Sequence, residues 1–118
     1  MTKIPKNEIV FKVRDWHGRE VTLLKSVLKN HIARFHIDEI LIIQTVRAEF
    51  NRPRVVIENT GAHSENAIFN VPCGGHQCIL VAIKYRKWMG RWFGNLIATF
   101  YGIDESAIPP GRVLYGKR

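Results

Sequence analysis

Three short stretches of this 118-residue chain carry side chains that could do chemistry. The first, Cys73-Gly-Gly-His76-Gln-Cys78, holds three residues of types that bind zinc. A structural zinc site normally takes four ligands, and a Cys-x4-Cys spacing is wider than the commonest pairs. A glycine-rich hairpin tip therefore explains this stretch better than a metal site, and we predict neither a metal nor a cofactor.

The second stretch, Arg86 to Phe93, alternates cations with aromatic rings. Surfaces that bind single-stranded nucleic acid combine these residue types, because bases stack on the rings and phosphates pair with the cations. A hairpin whose tryptophans pack on the C-terminal tail would produce the same pattern. If the stretch does contact nucleic acid, the candidate residues are Arg86, Lys87, Trp88 and Arg91.

The third stretch is a helical pattern that contains His31 and Arg34, which are three residues apart and so share a side of the helix. A histidine on the apolar side of a helix can be a satisfied core residue, but its ring can also exchange protons near neutral pH. Both interpretations of His31 stay open at this point.

Charge indicates the class of partner. Lys and Arg number 18 and Asp and Glu 10, which gives a formal charge of +8. Residues 1–37 and 82–118 each carry +5, whereas residues 38–81 carry −2. Two basic ends around an acidic middle predict one positive face that favours polyanions such as nucleic acid. Lysines and arginines distributed over a solvated surface are the alternative.

Composition limits the possible classes of protein. At 46% hydrophobic and 24% charged residues, the chain has the make-up of one packed domain and not of a disordered or fibrous segment. Its longest apolar runs fall far short of the roughly 20 residues of a spanning helix, and no signal-peptide core is evident. We therefore expect no membrane association and a cytoplasmic location, reached either directly or by delivery into a target cell.

The elements that must position these residues follow from hydrophobic periodicity. A short strand over Ile9–Val13 and a turn at 15–18 precede two helices, one from Thr22 to Phe35 and one from Asp38 to Phe50. After the Asn51-Arg52-Pro53 breaker the period changes to two. The four strands predicted there are Arg54–Glu58, Ala67–Val71, Cys78–Tyr85 and Asn95–Tyr101.

Helices followed by a run of strands predict an α+β fold, in which two N-terminal helices pack on one face of a four-stranded antiparallel meander. We predict a single domain over residues 1–118, with a core at about 9–103 and an extended tail at 104–118. Alternation would turn the apolar set, Val55, Ile57, Phe69, Val71, Ile79, Val81, Ile83, Leu96, Ala98 and Phe100, toward the helices. The other face would then collect Arg54, Glu58, Asn70, Lys84, Arg86, Asn95, Thr99 and Tyr101.

The segment VTLLKSVLKNHIARFH at 21–36 resembles the opening of phage and toxin nuclease domains of the barnase, EndoU, colicin and RelE-like superfamily. The resemblance covers about residues 20–103. It also includes the Asn51-Arg52-Pro53 entry to the sheet and the Ile97 to Tyr101 strand with its hydroxyl residue. Two positions depart from the family motif, because Phe35 replaces its arginine and Ile37 its proline.

The resemblance implies metal-independent RNA cleavage, in which the ribose 2′-hydroxyl attacks the adjacent phosphate. Such a reaction needs a base, an acid and cations on the phosphoryl oxygens. It would assign His31 as acid or base, Lys84 as a phosphate clamp with Arg34 or Arg86, and Thr99 as a positioning hydroxyl. Glu58 would be a partner base, although a salt bridge to Lys84 or Arg54 would also explain it. Arg54 joins the candidate nucleic-acid contacts.

Two classes of function result. The first is a small basic ribonuclease, a toxin or phage effector whose further partner would be an acidic inhibitor or immunity protein. The second is a non-catalytic basic module that binds nucleic acid or a protein on the same sheet face. The sequence does not distinguish them and gives no oligomeric state.

Overall fold

The computed structural model describes residues 8–34, 37–60, 64–85 and 95–118, and for residues 30–34 and 37–40 it describes the backbone alone. Within these residues, seven strands form one sheet and two short helices lie between its second and third strands. The elements are β1 Ile9–Arg14, β2 Glu20–Leu24, α1 Lys25–Arg34, α2 Ile37–Arg47, β3 Val55–Asn59, β4 Ser64–Phe69, β5 Cys78–Lys84, β6 Asn95–Ile103 and β7 Val113–Gly116.

The predicted fold class is wrong. The sheet order is β1-β2-β6-β5-β4-β3-β7, and it is mixed because β2 and β6 pair in parallel. The meander predicted after Pro53 is present as β3 to β6, but it forms only the middle of a sheet that has a hairpin at one edge and β7 at the other. The chain is therefore mostly sheet, and two helices on a four-stranded antiparallel sheet do not describe it.

The largest local difference is at Thr22, where the sequence predicts the start of a helix. The structure has the strand β2, which pairs antiparallel with β1 through Val13↔Val21 and Phe11↔Leu23. Val21 and Leu23 are buried on one side of the strand, so the local period is two. The helix α1 begins directly afterwards, at Lys25.

One face of the sheet, here called the proximal face, packs against the helices. Ile43 and Val46 of α2 are fully buried there, and Val27 and Leu28 of α1 pack against the same cluster. The sheet contributes alternate residues to this core, as the pleat requires. Those residues include Phe11, Val21, Leu23, Val56, Ala67, Phe69, Ile79, Val81, Ile83, Tyr85, Ile97 and Phe100.

The opposite face, here called the distal face, holds a second and smaller apolar cluster over β3, β4, β5 and the end of β6. Its buried members are Val55, Ile57, Ile68, Cys78, Leu80 and Ile103, and Ile108 packs against them. The chain reaches β7 from β6 by crossing this cluster with residues 104–112, which include a short 3-10 helix at Glu105–Ala107. The central strand β4 is buried along its whole length because both of its faces are covered.

This second cluster corrects several predicted orientations. Val55 and Ile57 lie on the distal face and not against the helices. In β6 the helix-facing residue is Ile97, because the pairing with β5 shifts between Ala82↔Thr99 and Ile83↔Ile97 and leaves Ala98 as an extra residue. Leu96 therefore lies on the distal face, and Ala98 is exposed.

Candidate nucleic-acid interface

Strand register brings a set of polar side chains together on the half of the distal face formed by β1, β2, β6 and the end of β5. Each of them alternates with a residue of the proximal core, so their side chains point the other way. We call this set the distal polar surface. It consists of Lys12, Arg14, Glu20, Lys84, Thr99 and Tyr101, and Thr22 lies among them but is buried.

Two lysines mark the ends of one row across this surface. The register partners Lys12↔Thr22, Thr22↔Leu96 and Lys84↔Leu96 connect β1, β2, β6 and β5 in a line. Strands are about 4.8 Å apart, so the two lysine backbones are separated by about 14 Å. The side chains of both lysines are exposed and available to an anion.

Thr99 and Tyr101 lie in the next two rows. Thr99 is the register partner of Ala82 and Tyr101 that of Leu80, so they follow Lys84 down the same face at steps of about 7 Å. Thr99 is half-buried, whereas Tyr101 is 40% exposed and so presents part of its ring to solvent. The surface therefore places cations, a hydroxyl and an aromatic ring in succession.

The charge of this surface is net positive. Lys12, Arg14 and Lys84 face one carboxylate, Glu20, which lies 3.7 Å from the Lys12 ammonium. Such exposed pairs are weak, so Glu20 neutralises Lys12 only in part. The Arg14 guanidinium donates a hydrogen bond to the carbonyl of Gly18, which holds it at the turn end of the surface.

Of the catalytic residues that the resemblance implies, the structure brings Lys84 and Thr99 onto one face. Glu58 lies on the other, because it follows Val56 of the proximal core by two residues and pairs in register with Glu65. Its carboxylate accepts from the Nε of Arg112 at 2.8 Å, so its partner is neither Lys84 nor Arg54. His31 lies in the part of α1 where the backbone alone is described, and this helix packs on the proximal face.

The candidate nucleic-acid contacts are only partly described. Arg54 donates to Glu105 and Asn70, and the hydrogen bond to Glu105 raises the pKa of the Arg54 guanidinium. The Arg54 guanidinium is therefore paired with a carboxylate, and it lies directly before β3, at the end of the sheet away from the distal polar surface. The side chain of Arg34 lies outside the described residues, as do Arg86, Lys87, Trp88 and Arg91 in the connection between β5 and β6.

A buried ionic network that the sequence analysis missed anchors the β1–β2 hairpin. Asp15 Oδ2 accepts from Arg19 Nε and from the Tyr85 hydroxyl, both at 2.8 Å, while its Oδ1 accepts from the backbone N–H groups of His17 and Arg19 at 2.9 Å. Arg19 also pairs with Glu65 at 3.2 Å. The hairpin turn is thereby attached to β4 and to the end of β5.

The network stabilises the fold and is closed to substrate. The carboxylate side chains of Asp15 and Glu65 are 0% and 2% exposed, and the Arg19 guanidinium lies 3.8 Å from the Tyr85 ring centroid. Burial, with the adjacent Asp15 carboxylate, raises the pKa of the Tyr85 phenol, which keeps it protonated as the donor to Asp15. The sequence indicates only the turn, because Asp15 is followed three residues later by Gly18, which has a φ of 75° in the structure.

The Cys73 to Cys78 stretch does not gather ligands. Cys73 is buried in the proximal core and Cys78 in the distal cluster, so their side chains lie on opposite sides of the sheet. His76 Nδ1 pairs with Asp104 at 3.3 Å. Among residues 8–34, 37–60, 64–85 and 95–118, no group of three or more His, Cys, Asp or Glu side chains is arranged to hold a metal ion.

Comparison of the chain with protein-family models, with curated proteins and with solved structures finds no match. None of the helices in the described residues is both long and apolar enough to cross a membrane. Arguments about function therefore depend on the residues and geometry of the distal polar surface.

Proposed function

We propose that this protein binds RNA through the distal polar surface. The observation that carries the proposal is the placement of Lys12, Arg14 and Lys84 on the same sheet face as Thr99 and the exposed Tyr101, with Thr99 and Tyr101 in the two rows beyond Lys84. Cations supply affinity for phosphates, and an exposed ring supplies a platform for a base. The overall charge of +8 supports a polyanionic partner, and the resemblance to ribonucleases favours RNA over DNA.

Binding of this kind is electrostatic, so we expect Lys84→Ala to weaken it several-fold at low salt. Each phosphate contact releases counterions, and losing one from a single strand flattens the slope of log K against log salt by about 0.7. The measurement is titration of a labelled single-stranded RNA at several salt concentrations, for example by fluorescence anisotropy.

The matched control is Lys117→Ala, which removes the same charge from an exposed position after β7, at the far edge of the sheet. It should leave the affinity within about two-fold of the wild-type value and the slope almost unchanged. Equal losses in the two variants would mean that net charge alone drives binding. The distal polar surface would then not be the RNA site.

Cleavage of the bound RNA is a second candidate function, favoured by the common face of Lys84 and Thr99. In this reaction a base takes the 2′-hydroxyl proton and the 2′ oxygen attacks phosphorus. The bond to the 5′ oxygen breaks and an acid protonates that oxygen. A lysine ammonium would stabilise the charge that develops on the phosphoryl oxygens, and the threonine hydroxyl would position the phosphate.

The cleavage test is incubation of the purified protein with end-labelled RNA in the presence of a chelator. A ribonuclease of this type should yield products with 2′,3′-cyclic phosphate and 5′-hydroxyl ends, because the 2′ oxygen is the nucleophile and no metal is required. If the RNA is bound but remains intact, the protein binds RNA without cleaving it. RNA that is neither bound nor cut would contradict both proposals.

A further inference from the structure

Tyr101 differs from the other aromatic residues of the described chain in its exposure and its neighbours. Most of the aromatic side chains lie inside the proximal core, where Phe11, Phe50, Phe69, Tyr85 and Phe100 are nearly inaccessible. Tyr101 is 40% exposed on the distal face of β6, at a point where this strand pairs with β5 alone because its pairing with β2 ends at Leu96. It therefore offers an aromatic ring that is open to solvent on a strand that is paired with β5 along one edge.

The residues around Tyr101 support its ring. Its register partner on β5 is Leu80, which is 2% exposed and belongs to the apolar cluster of the distal face, so the two residues are direct cross-strand neighbours. Two residues back along β6 is Thr99, on the same face. A tyrosine side chain has few rotatable bonds and so loses little conformational freedom when a ligand stacks on it, which favours binding.

The spacing along the strand fits a nucleic-acid chain. Lys84 and Leu80 are four residues apart on β5, so the Tyr101 row lies about 13 Å from the Lys84 row, with the Thr99 row midway. A single RNA strand that lies along β6 can place a phosphate at Lys84 and the base of a neighbouring nucleotide over Tyr101.

We propose that Tyr101 is a stacking platform for an unpaired base, so that the ligand of the distal polar surface is single-stranded RNA. This inference rests on the proposed RNA binding and specifies its substrate class. Exposed aromatic residues on sheet faces stack unpaired bases, whereas the bases of a duplex are stacked on each other and cannot lie on a flat surface. A duplex could engage the lysines but not the ring.

The test compares three variants on a single-stranded oligouridine and on an RNA duplex of the same length. Tyr101→Leu keeps an apolar side chain but removes the aromatic face, and should weaken single-strand binding by about 5- to 150-fold. Tyr101→Phe keeps the ring and should bind within about two-fold of wild type. Leu41→Ala, which removes a 61% exposed leucine from α2, controls for the loss of apolar surface.

The results separate this inference from the proposed function. Support requires that the wild type prefers the single strand to the duplex, that Tyr101→Leu reduces this preference and that Tyr101→Phe retains it. Duplex affinity and the slope of log K against log salt should be the same in all three proteins. Single-strand binding that is equal in Tyr101→Leu and wild type would overturn the stacking platform and leave RNA binding in place. An absence of RNA binding by the wild type would overturn both. Melting curves of each variant show that the fold is intact.

Discussion

Replacing Asp15 with alanine should lower the free energy of unfolding by about 2 to 4 kcal/mol, because the change leaves the buried phenol of Tyr85 and two backbone N–H groups of the turn without their acceptor and removes one of the two carboxylates that pair with Arg19. Four hydrogen bonds end on this carboxylate, two from backbone N–H groups and two from Arg19 and Tyr85. For a domain of this size the expected loss in melting temperature is on the order of 10 to 20 °C. Thermal denaturation followed by circular dichroism measures it.

Two variants control this prediction. Asp15→Asn keeps an acceptor for the backbone of the turn but removes the charge that Arg19 faces, so its melting temperature should fall between those of wild type and Asp15→Ala. Glu20→Ala removes an exposed carboxylate from the same hairpin, where the pair with Lys12 contributes less than about 1 kcal/mol. A melting temperature for Asp15→Ala within 2 °C of that for Glu20→Ala would show that the network does not anchor the hairpin.

The resemblance assigns His31 as acid or base, but its helix packs on the proximal face, opposite Lys84 and Thr99. In the cleavage assay we therefore expect His31→Gln to cleave within about two-fold of the wild-type rate, because a general acid or base must lie within hydrogen-bond reach of the reacting atoms. Glutamine keeps much of the size and polarity of histidine but does not exchange protons near neutral pH. Single-turnover rates at saturating protein separate cleavage from RNA affinity. A loss of about 10²- to 10⁴-fold, the usual contribution of one general acid or base, would instead place the reaction on the helix side of the sheet.

His76→Gln is the matched histidine control. His76 precedes β5 and is exposed, and its ring pairs with Asp104, which follows β6. It should cleave at the wild-type rate. Equal rates in His31→Gln and His76→Gln would show that His31 is neither the acid nor the base of the reaction. An unchanged melting temperature in both variants excludes unfolding as the cause of any loss.

The sequence could predict the strands of the meander but not the sheet to which they belong. Val21, Leu23 and Leu24 precede Val27 and Leu28, so a strand with period two and a helix with period 3.6 overlap in one apolar run. A helix predicted from Thr22 onward therefore includes most of the residues that form β2. The hairpin turn at 15–18 was recognised, and a second strand after it would have been the consistent prediction.

Orientation could be predicted only where one side of a strand is polar. In β5 and β6, Lys84 and Thr99 alternate with buried residues, and their common face followed from the pleat. In β3, Val55, Val56 and Ile57 are apolar in succession, and all three are buried because both faces of that strand are covered. Alternation cannot assign faces in such a run, and Glu58 was consequently placed on the wrong side.

The buried network lay beyond sequence reasoning for a different reason. Arg19 is 46 residues from Glu65, and Asp15 is 70 residues from Tyr85. Such pairs become neighbours only once β1, β2, β5 and β4 are assembled in one sheet. A lone carboxylate in a turn looks the same in the sequence whether it is solvated or buried against an arginine.

The parallel contact between β2 and β6 also bears on the order in which the protein can be made and folded. During synthesis the N-terminal hairpin leaves the ribosome with one edge of β2 unpaired, and its neighbour in the sheet is complete only when Ile103 has been added, some eighty residues later. Pairing over such a distance makes assembly slow compared with that of a local hairpin. Until β6 has been synthesised, the nascent chain exposes the unpaired edge of β2 to other chains. A chaperone that binds this edge would therefore favour correct assembly.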